Sequence, residues 1–352
     1  MPVQSSEEWL AQEREWIAKF FEKLVPEVLG ERSQLCGMKD CHEFASRILR
    51  TQDIQPVENQ GSTSYTLACP SQSSIVQFRL KRFDEEILAL AHKIYGDVVP
   101  AITFFDGFPL PVYVGGIIPG QLHMFQKFPS DNFPLERQLT TVTELGQFVA
   151  KSAYWPQPTS SYSPTSCTKS ARNTLLRLSE NDALKKIEPR YSEKAIALLT
   201  KVHLLDKLPP VLSHPDFAEV NIFVDSEGHV TGVIDFEDAQ TEAFGMCIFG
   251  VYEGFFGVMN NQKWTFFDQP ARDRYGPRTS VRNVLETKFW ESLWDAMPPT
   301  MGKQELSEAV MVALEVGIIN RYLVRGLLDG VDFESEDHRI DLEWARGLFL
   351  ER

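Results

Sequence analysis

The sequence predicts an α+β fold with a small β-rich N-terminal lobe and a larger, mainly helical C-terminal lobe. Its 352 residues exceed what one small core usually holds, which favours two lobes. Strand-like pieces dominate residues 56–116, whereas helical patterns dominate from about residue 120 onward. Strands and helices do not alternate regularly, so a doubly wound parallel sheet is not predicted.

The N-terminal lobe, predicted as residues 1–118, begins with leading helices. PVENQGSTSYTLACP and SQSSIVQFRL then have the composition of strands, with turns at residues 60–62 and 70–72. A helix follows between Asp84, a typical N-cap residue, and Gly96, a typical stop signal. The strand-like pieces AITFFDG and PVYVGGIIPG complete this lobe.

The C-terminal lobe is predicted as residues 119–352. Its helical patterns are TVTELGQFVAKSAYW, SARNTLLRLSEND, YSEKAIALLTKVHLL, SVRNVLETKFWESLWDAM and ELSEAVMVALEVGIINRYLVRGLL. PQPTSSYSPTSCTKS is rich in proline, serine and threonine, which predicts an exposed loop. One β-hairpin interrupts the helices, because VNIFVD and VTGVIDF flank a turn at residues 226–228.

Charge and cysteine content narrow the function classes. The chain has 35 basic and 49 acidic residues, a net charge of −14, which disfavours nucleic-acid or anionic-membrane partners and tolerates cationic ligands. Five scattered cysteines argue against a disulfide framework and for a reducing compartment. The sequence shows neither a signal peptide nor a run of about 18 apolar residues. We therefore expect a cytoplasmic protein without a nucleic-acid or membrane partner; its oligomeric state is not predicted.

Polar residues cluster around the predicted hairpin. Asn221 opens the strand NIFVD, and Asp235 ends the strand VTGVID. A hairpin places the start of one strand beside the end of the other, so the two side chains should lie close together. Amide and carboxylate oxygens are hard ligands suited to Mg²⁺ held partly by substrate phosphates.

Two more residues belong to the loop before the hairpin. Asp216 has a carboxylate that can accept or orient the proton of an attacking hydroxyl, and His214 can brace the loop through a backbone hydrogen bond. The same residue types also fit a simpler alternative, in which Asx side chains cap turns beside a buried hairpin.

The spacing of these residues resembles a known signature. His214-x-Asp216-x4-Asn221, followed by Ile234-Asp235-Phe236-Glu237, is similar to the catalytic signature of the aminoglycoside phosphotransferase family. That family resembles choline kinases and, more distantly, protein kinases. The order of strands and helices extends the resemblance over most of the chain, and it implies a two-lobe protein-kinase-like fold.

The resemblance implies an ATP- or GTP-dependent, Mg²⁺-dependent phosphotransferase acting on an alcohol group of a small molecule. Asp216 would be the catalytic residue that receives or orients the acceptor hydroxyl. His214 would be the structural residue of the catalytic loop. Asn221 and Asp235 would be the Mg²⁺ ligands.

In the N-terminal lobe the resemblance implies a nucleotide-binding site with Gly61, Ser62, Arg79 and Glu86. Glu86, with Glu85 as the alternative, would be the helix acid that pairs with the basic residue. Gly61 and Ser62 would belong to a phosphate-covering turn, although an ordinary hairpin at residues 60–66 is an alternative. Arg79 stands where the family has lysine, and Lys81 takes this place if the register is shifted. Backbone groups within residues 112–117 would hold the nucleotide base.

Two departures from the family pattern support a second hypothesis, a non-catalytic or repurposed kinase-like protein that binds a nucleotide or metabolite. One is the missing lysine. The other is Pro215, which replaces the family's glycine, fixes φ near −65° and lacks an N–H. Glu219 adds a charge that would contact the metal, bind a cationic acceptor or be solvated. If Glu237, Asp238 and Glu242 line the acceptor cleft, they favour a cationic or amine-bearing acceptor.

Overall fold

A computed structural model of the protein describes residues 14–158, 164–271, 275, 278–324 and 336–352. The chain divides into two compact units. The smaller unit comprises residues 2–92 and 99–119, and the larger comprises residues 93–98 and 120–352. The smaller unit contains an antiparallel sheet and the larger one is mainly helical, so the predicted two-lobe α+β fold is confirmed.

The sheet of the smaller unit has five antiparallel strands in the order β1-β2-β3-β5-β4. The strands are β1 (Gln55–Pro56), β2 (Ser64–Cys69), β3 (Ser74–Arg79), β4 (Ile102–Phe105) and β5 (Val112–Gly116). The register of β2 and β3 pairs Ser64 with Arg79. Arg79 therefore lies opposite the end of the turn that leads into β2.

Residues of the first two helices pack with this sheet in one apolar core, and a third helix follows β3 in the chain. After a π-helical turn at Phe20–Leu24 come α1 (Val25–Leu29), α2 (Met38–Leu49) and α3 (Glu85–Tyr95). The core joins Phe44 of α2 to Phe78 of β3, with ring centroids 6.2 Å apart. Helix α3 has the predicted ends, because the carboxylate of Asp84 accepts the N–H of Glu86 at 3.0 Å and Gly96 has φ +73°.

The larger unit contains three small sheets with antiparallel strands. A three-stranded sheet has the order β6 (Gln121–Leu122), β8 (Ile222–Val224) and β9 (Val230–Val233). Strand β7 (Pro210–Ser213) pairs with β10 (Gln240–Ala243). The chain runs from β7 to β8 and returns from β9 to β10, so residues 214–221 and 234–239 both connect the same two sheets.

The third sheet is a hairpin that the sequence did not predict. It pairs β11 (Gly257–Asn260) with β12 (Lys263–Phe266). Asn261 and Gln262 form its two-residue loop with φ of 49° and 60°. Positive φ at both positions is typical of a type I′ turn, but the sequence lacks the usual Asn-Gly pair, and the signal was therefore weak.

Eight helices of the larger unit lie within its described residues. They are α4 (Leu135–Ser152), α5 (Pro164–Glu180), α6 (Asp182–Ile187), α7 (Arg190–Leu199), α8 (Phe249–Phe255), α9 (Val281–Ala296), α10 (Lys303–Tyr322) and α11 (Glu336–Ala345). Helix α5 begins at Pro164, inside the stretch predicted as a loop. Proline suits the first turn of a helix because its missing N–H has no intrahelical partner there. No helix within the described residues is long and apolar enough to cross a membrane.

Candidate active site

His214 fixes the backbone of the loop that follows β7. Its buried ring lies between two backbone groups: Nε2 is 2.8 Å from the carbonyl oxygen of Ile234, and Nδ1 is 3.1 Å from the backbone nitrogen of Asp216. A carbonyl can only accept and an N–H can only donate, so the proton is on Nε2 and the lone pair is on Nδ1. Burial lowers the pKa of His214, which favours this neutral tautomer.

The next turn holds Asp216 beside Asn221. The side-chain nitrogen of Asn221 donates to the backbone oxygen of Asp216 at 2.9 Å and lies 3.3 Å from its Oδ2. The backbone N–H of Ala218 donates to the same Asp216 oxygen at 2.8 Å. Phe217 is fully buried, and its ring stacks on Phe148 with centroids 5.3 Å apart. Asp216 is therefore held on an anchored turn while its carboxylate stays about one-third exposed.

The hairpin places Asn221 and Asp235 at the same end of two paired strands. Ile222 pairs with Val233, and the N–H of Ile234 donates to the backbone oxygen of Asn221 at 3.0 Å. Asn221 ends a 3₁₀ turn (Glu219–Asn221) directly before β8, whereas the sequence analysis had it open the strand. Asp235 lies two residues beyond β9 with φ +69°, a left-handed conformation that aspartate tolerates better than most residues.

The chemistry of these two side chains suits a Mg²⁺ ion. Because the amide nitrogen of Asn221 donates to Asp216, its carbonyl oxygen is the atom that remains for a cation. The carboxylate of Asp235 is on an exposed residue. Within the described part of the chain, no group of three or more His, Cys, Asp or Glu side chains is arranged to hold a metal. An ion bound by Asn221 and Asp235 would therefore need phosphate oxygens and water as its other ligands, which is typical of Mg²⁺.

Arg321 contacts the predicted catalytic carboxylate directly. It lies in the last turn of α10, and its Nη2 donates to Oδ1 of Asp216 at 2.6 Å. Their side chains are 38% and 31% exposed, respectively. Both oxygens of Asp216 thus face a donor, with Arg321 at Oδ1 and Asn221 at Oδ2.

A second carboxylate lies close to this pair. Glu253 of α8 accepts a short hydrogen bond from the hydroxyl of Tyr322, the residue after Arg321, and its backbone oxygen accepts the indole N–H of Trp264 at 3.1 Å. Burial raises the pKa of Glu253 to about 7, while Tyr322 and Arg321 act in the opposite direction. Glu253 is therefore only partly ionised near neutral pH.

Glu219 lies against a buried histidine. Its Oε2 is 3.5 Å from Nδ1 of His123, whose side chain is 3% exposed. Nε2 of His123 contacts Oε1 of Gln138 at 2.8 Å, and the amide nitrogen of Gln138 donates to the backbone oxygen of Phe255 at 3.1 Å. Glu219 is thus packed on one side and 38% exposed, neither fully solvated nor buried.

The acidic residues after β9 have different environments. Asp238 is exposed, whereas Glu237 is half-buried. Glu242 is half-buried on β10, accepts a hydrogen bond from the side chain of Gln240 at 3.0 Å, and has a pKa raised by burial. A raised pKa reduces the ionised fraction of Glu242, so it suits an amine ligand less well than an ordinary surface glutamate.

The smaller unit brings the predicted phosphate-covering turn beside Arg79. Gly61 and Ser62 lie in an exposed turn that the buried Gln60 fixes, because its amide nitrogen donates to the backbone oxygen of Thr66 at 2.8 Å. Arg79 is 5% exposed, and its guanidinium carbon lies 4.2 Å from the centroid of the Phe83 ring. A guanidinium that stacks by its face on a ring can still present its N–H edge to a phosphate.

The predicted acid on α3 lies at the start of the helix. Glu86 is exposed, and its backbone N–H donates to the carboxylate of the N-cap residue Asp84. Lys81, the alternative base, is also exposed. The roles predicted for the nucleotide-contacting residues stay predictions.

The sequence analysis missed Arg321, Glu253 and His123. Each lies far along the chain from the residue that it approaches: Arg321 is 105 residues from Asp216. Helical periodicity places an arginine on a helix but not opposite a particular loop residue.

Comparison with protein families gave one match. Residues 127–243 match the phosphotransferase enzyme family, APH. The matched segment includes His214, Asp216, Asn221 and Asp235, so the resemblance drawn from the catalytic segment is confirmed. Comparison with curated protein sequences gave no match.

Solved structures extend the similarity to the whole fold. The Plasmodium vivax ethanolamine kinase has a TM-score of 0.53 at 12% identity, covering 98% of this chain and 94% of its own. The ADP-bound aminoglycoside phosphotransferase APH(2'')-Ib has a TM-score of 0.49 at 13% identity, covering 88% and 98%. A macrolide 2'-phosphotransferase from Brachybacterium faecium has a TM-score of 0.48 at 14% identity, covering 87% and 97%. The first of these supports a shared fold.

Proposed function

We propose that this chain transfers the γ-phosphoryl group of ATP or GTP to a hydroxyl of a small molecule. One observation carries the proposal: the partly exposed carboxylate of Asp216 is held beside Asn221. Asn221 lies just before β8 and Asp235 just after β9, at the same end of these paired strands. Phosphoryl transfer depends on positioning and charge stabilisation more than on covalent catalysis. Asp216, Asn221 and Asp235 supply side chains suited to both tasks.

Asp216 has the chemistry needed to receive the acceptor proton. As the acceptor oxygen bonds to the γ-phosphorus, the bond from that phosphorus to the bridging oxygen breaks, and its electron pair leaves with the nucleoside diphosphate. The hydroxyl proton passes to the carboxylate of Asp216. The contacts from Asn221 and from His214 hold the backbone of Asp216 in place.

Asn221 and Asp235 would hold Mg²⁺ through an amide oxygen and a carboxylate oxygen. When bound, the ion would offset negative charge on the nucleotide phosphates. The donor set agrees with this use, because Mg²⁺ sites with substrate phosphates typically need only one or two protein carboxylates.

We further propose that the acceptor carries an amine. Glu219, three residues after Asp216, has a side chain that is 38% exposed, and the chain has a net charge of −14. The P. vivax neighbour is named an ethanolamine kinase, and other structural neighbours were solved with streptomycin or gentamicin. Ethanolamine and aminoglycosides are therefore the first acceptors to test.

A second candidate is a nucleotide- or metabolite-binding protein that does not transfer phosphate. The observation that favours it is the burial of Arg79 under Phe83, because a buried guanidinium is poorly placed to hold a phosphate. Retention of Asp216, Asn221 and Asp235 favours the transferase, since binding alone does not require a positioned catalytic carboxylate.

The test is transfer of a labelled γ-phosphate from ATP and from GTP to a panel of amino alcohols, aminoglycosides and neutral polyols. Asp216→Asn is the matched control because it keeps the shape of the side chain. We expect a phosphorylated product with the natural chain and at least about a 100-fold loss in the variant. Nucleotide-induced stabilisation against heat without any product would instead support the binding protein.

A further inference from the structure

The most informative contact outside the sequence signature is the ion pair between Arg321 and Asp216. Carboxylates that act on an acceptor hydroxyl must offer it a free lone pair. In this protein one oxygen, Oδ1, receives a charged hydrogen bond of 2.6 Å from Arg321. Among the described residues, the other oxygen, Oδ2, has only a contact of 3.3 Å with the amide nitrogen of Asn221, which is long for a hydrogen bond.

We infer that Arg321 is a positioning residue that holds Oδ1 of Asp216 and thereby presents Oδ2 to the acceptor hydroxyl. This inference rests on the proposed phosphotransferase function. A carboxylate oxygen has two lone pairs, so Oδ2 can accept the hydroxyl proton while its weak contact with Asn221 remains. Without Arg321 the carboxylate would be free to rotate about χ2, a broad torsion for aspartate.

Helix α10 is packed so that it can keep Arg321 in place. Gly317 lies one turn before Arg321, and a Cβ atom added to it would lie only 2.2 Å from the backbone oxygen of Met246. Residues four apart share a helix face, so this close approach holds the same face that carries Arg321. The hydrogen bond from Tyr322 to Glu253 ties the end of the helix to α8.

The ion pair of Arg321 differs from an ordinary surface ion pair in the residue that the arginine contacts. Exposed pairs typically contribute little to stability, and loss of one usually changes no activity. Arg190 and Glu188 form such a pair at the same 2.6 Å distance, with side chains 51% and 24% exposed. The difference is the partner: Arg321 contacts the residue that would receive the proton, so its effect should be seen in turnover.

The experiment measures phosphate release from Mg·ATP with water as the acceptor, together with transfer to ethanolamine, for a set of variants. Arg321→Ala and Arg321→Met should lower kcat by about 10- to 100-fold, because a misplaced catalytic group costs rates of that order. The KM for ATP should stay within about twofold of the natural value, since Arg321 is not expected to contribute to the binding of ATP in the ground state. Arg321→Lys should retain an intermediate rate, and Arg190→Ala should match the natural chain.

Two readouts separate positioning from a merely structural role. Added guanidinium or methylguanidinium, far below denaturing concentration, should raise the rate of Arg321→Ala but not that of Arg190→Ala or Asp216→Asn. In the Asp216→Asn background, Arg321→Ala should cause no further loss, because residues that act as a unit are not additive.

The outcomes are distinguishable. If Asp216→Asn matches the natural chain, or the natural chain is inactive, the proposed function fails and the inference fails with it. If Asp216→Asn is inactive while Arg321→Ala keeps full kcat, the function stands and the inference is overturned. The inference would also be overturned if the losses of kcat were fully additive in the double variant, or if guanidinium did not restore the rate of Arg321→Ala. A faster rate for Arg321→Ala would overturn it too, because the ion pair would then slow turnover.

Discussion

The imidazole of His214 donates from Nε2 to the carbonyl oxygen of Ile234 over 2.8 Å, and this bond joins the loop after β7 to the strand end that precedes Asp235. The other ring nitrogen accepts the backbone N–H of Asp216. One neutral ring therefore satisfies a carbonyl and an N–H that would otherwise be buried without partners. A charged ring would lose the bond from Asp216, because Nδ1 would then carry a proton.

The first prediction concerns the pH dependence of stability. Burial lowers the folded-state pKa of His214 below its ordinary value of 6.5. As the pH falls below about 6.5, the unfolded chain takes up a proton at this residue and the folded chain does not, so His214 destabilises the fold in acid and has no such effect above that pH. His214→Gln should be less stable at pH 8 by about 1–3 kcal/mol, because the N–H of Asp216 loses its acceptor.

The measurement is urea unfolding between pH 5 and pH 8 for both proteins. The stability gap between the natural chain and His214→Gln should narrow as the pH falls, since the variant lacks the titrating group. His203→Gln, at an exposed histidine, serves as the control and should leave the pH profile unchanged. A gap that widens in acid would contradict the neutral tautomer.

The second prediction concerns Glu253, whose pKa burial raises from 4.5 to about 7. Below pH 4.5 the group is protonated in both states. Between pH 4.5 and 7 the unfolded chain ionises first, so the contribution of Glu253 to stability falls as the pH rises and levels off above about 7. Tyr322, Arg321, Asp216 and Glu219 are the charged or polar groups that act on it.

Glu253→Gln keeps an acceptor for the hydroxyl of Tyr322 and removes the titration. We expect this variant to gain stability relative to the natural chain as the pH rises from 5 to 8, by up to about 3 kcal/mol. Glu305→Gln, at an exposed glutamate of α10, is the control. Equal pH profiles for the natural chain and Glu253→Gln would show that Glu253 ionises normally.

The local part of the fold around Asn221 and Asp235 was predictable from the sequence. The hairpin between β8 and β9 was predictable, because strand patterns flank a short turn and Gly228 has the positive φ that the turn requires. The order of sheet and helices followed from similar local patterns. These local features fix where Asn221 and Asp235 lie relative to one another.

Contacts between distant segments were not predictable in the same way. Arg321 reaches Asp216 only because α10 packs closely at Gly317, and a single sequence does not reveal helix packing. The prediction of Arg79 as a phosphate contact stays a prediction, and the stacking of its guanidinium on Phe83, four residues later, was not predicted. Helix α8 comes from a stretch rich in glycine and aromatic residues, and the reason for its glycines appears only in the packing.

The third prediction follows from that packing. A Cβ atom on Gly250 would lie 1.8 Å from the backbone oxygen of Phe217, the residue after Asp216. Gly250→Ala must therefore push α8 and the catalytic loop apart. We expect a loss of about 1–3 kcal/mol of stability from overpacking, together with a drop in phosphate transfer.

The measurement for Gly250→Ala is chemical unfolding and kcat. Gly302→Ala is the control, since a Cβ there has no atom within 4 Å, and as the N-cap of α10 this position should lose no more than about 1 kcal/mol with kcat unchanged. If Gly250→Ala unfolds and transfers phosphate like the natural chain, the close approach of α8 to the loop is not present in solution.

The fourth prediction concerns the metal. Asp235→Asn keeps a side chain that tolerates φ +69° and removes the carboxylate charge. The natural chain should melt at a higher temperature with Mg·ATP than with ATP and EDTA, because a ligand at 100 times its Kd adds about 2.7 kcal/mol of stability. Asp235→Asn should lose this metal-dependent increment.

Asp238→Asn is the matched control for that measurement, because Asp238 is an exposed acid three residues later. It should keep the Mg²⁺-dependent increase in melting temperature. An increment that survives in Asp235→Asn would place the metal elsewhere and would remove Asp235 from the site.

The fifth prediction concerns Pro215, which stands where the related family has glycine. Every residue from 213 to 221 is described, and none of them has a positive φ, so this loop does not need glycine at position 215. The loop hydrogen bonds come from His214, Asp216 and Asn221, and proline's missing N–H removes none of them. Pro215→Gly should therefore bring no gain in phosphate transfer.

Pro215→Gly should also destabilise the protein, because glycine gives the unfolded chain more freedom, with a cost of about 0.4–1 kcal/mol. Pro215→Ala should give a smaller loss, which separates the effect of chain freedom from that of the ring itself. The measurements are the urea midpoint and kcat for both variants. A rise in kcat for Pro215→Gly alone would mean that proline holds the loop away from its active conformation, and that position 215 limits the reaction.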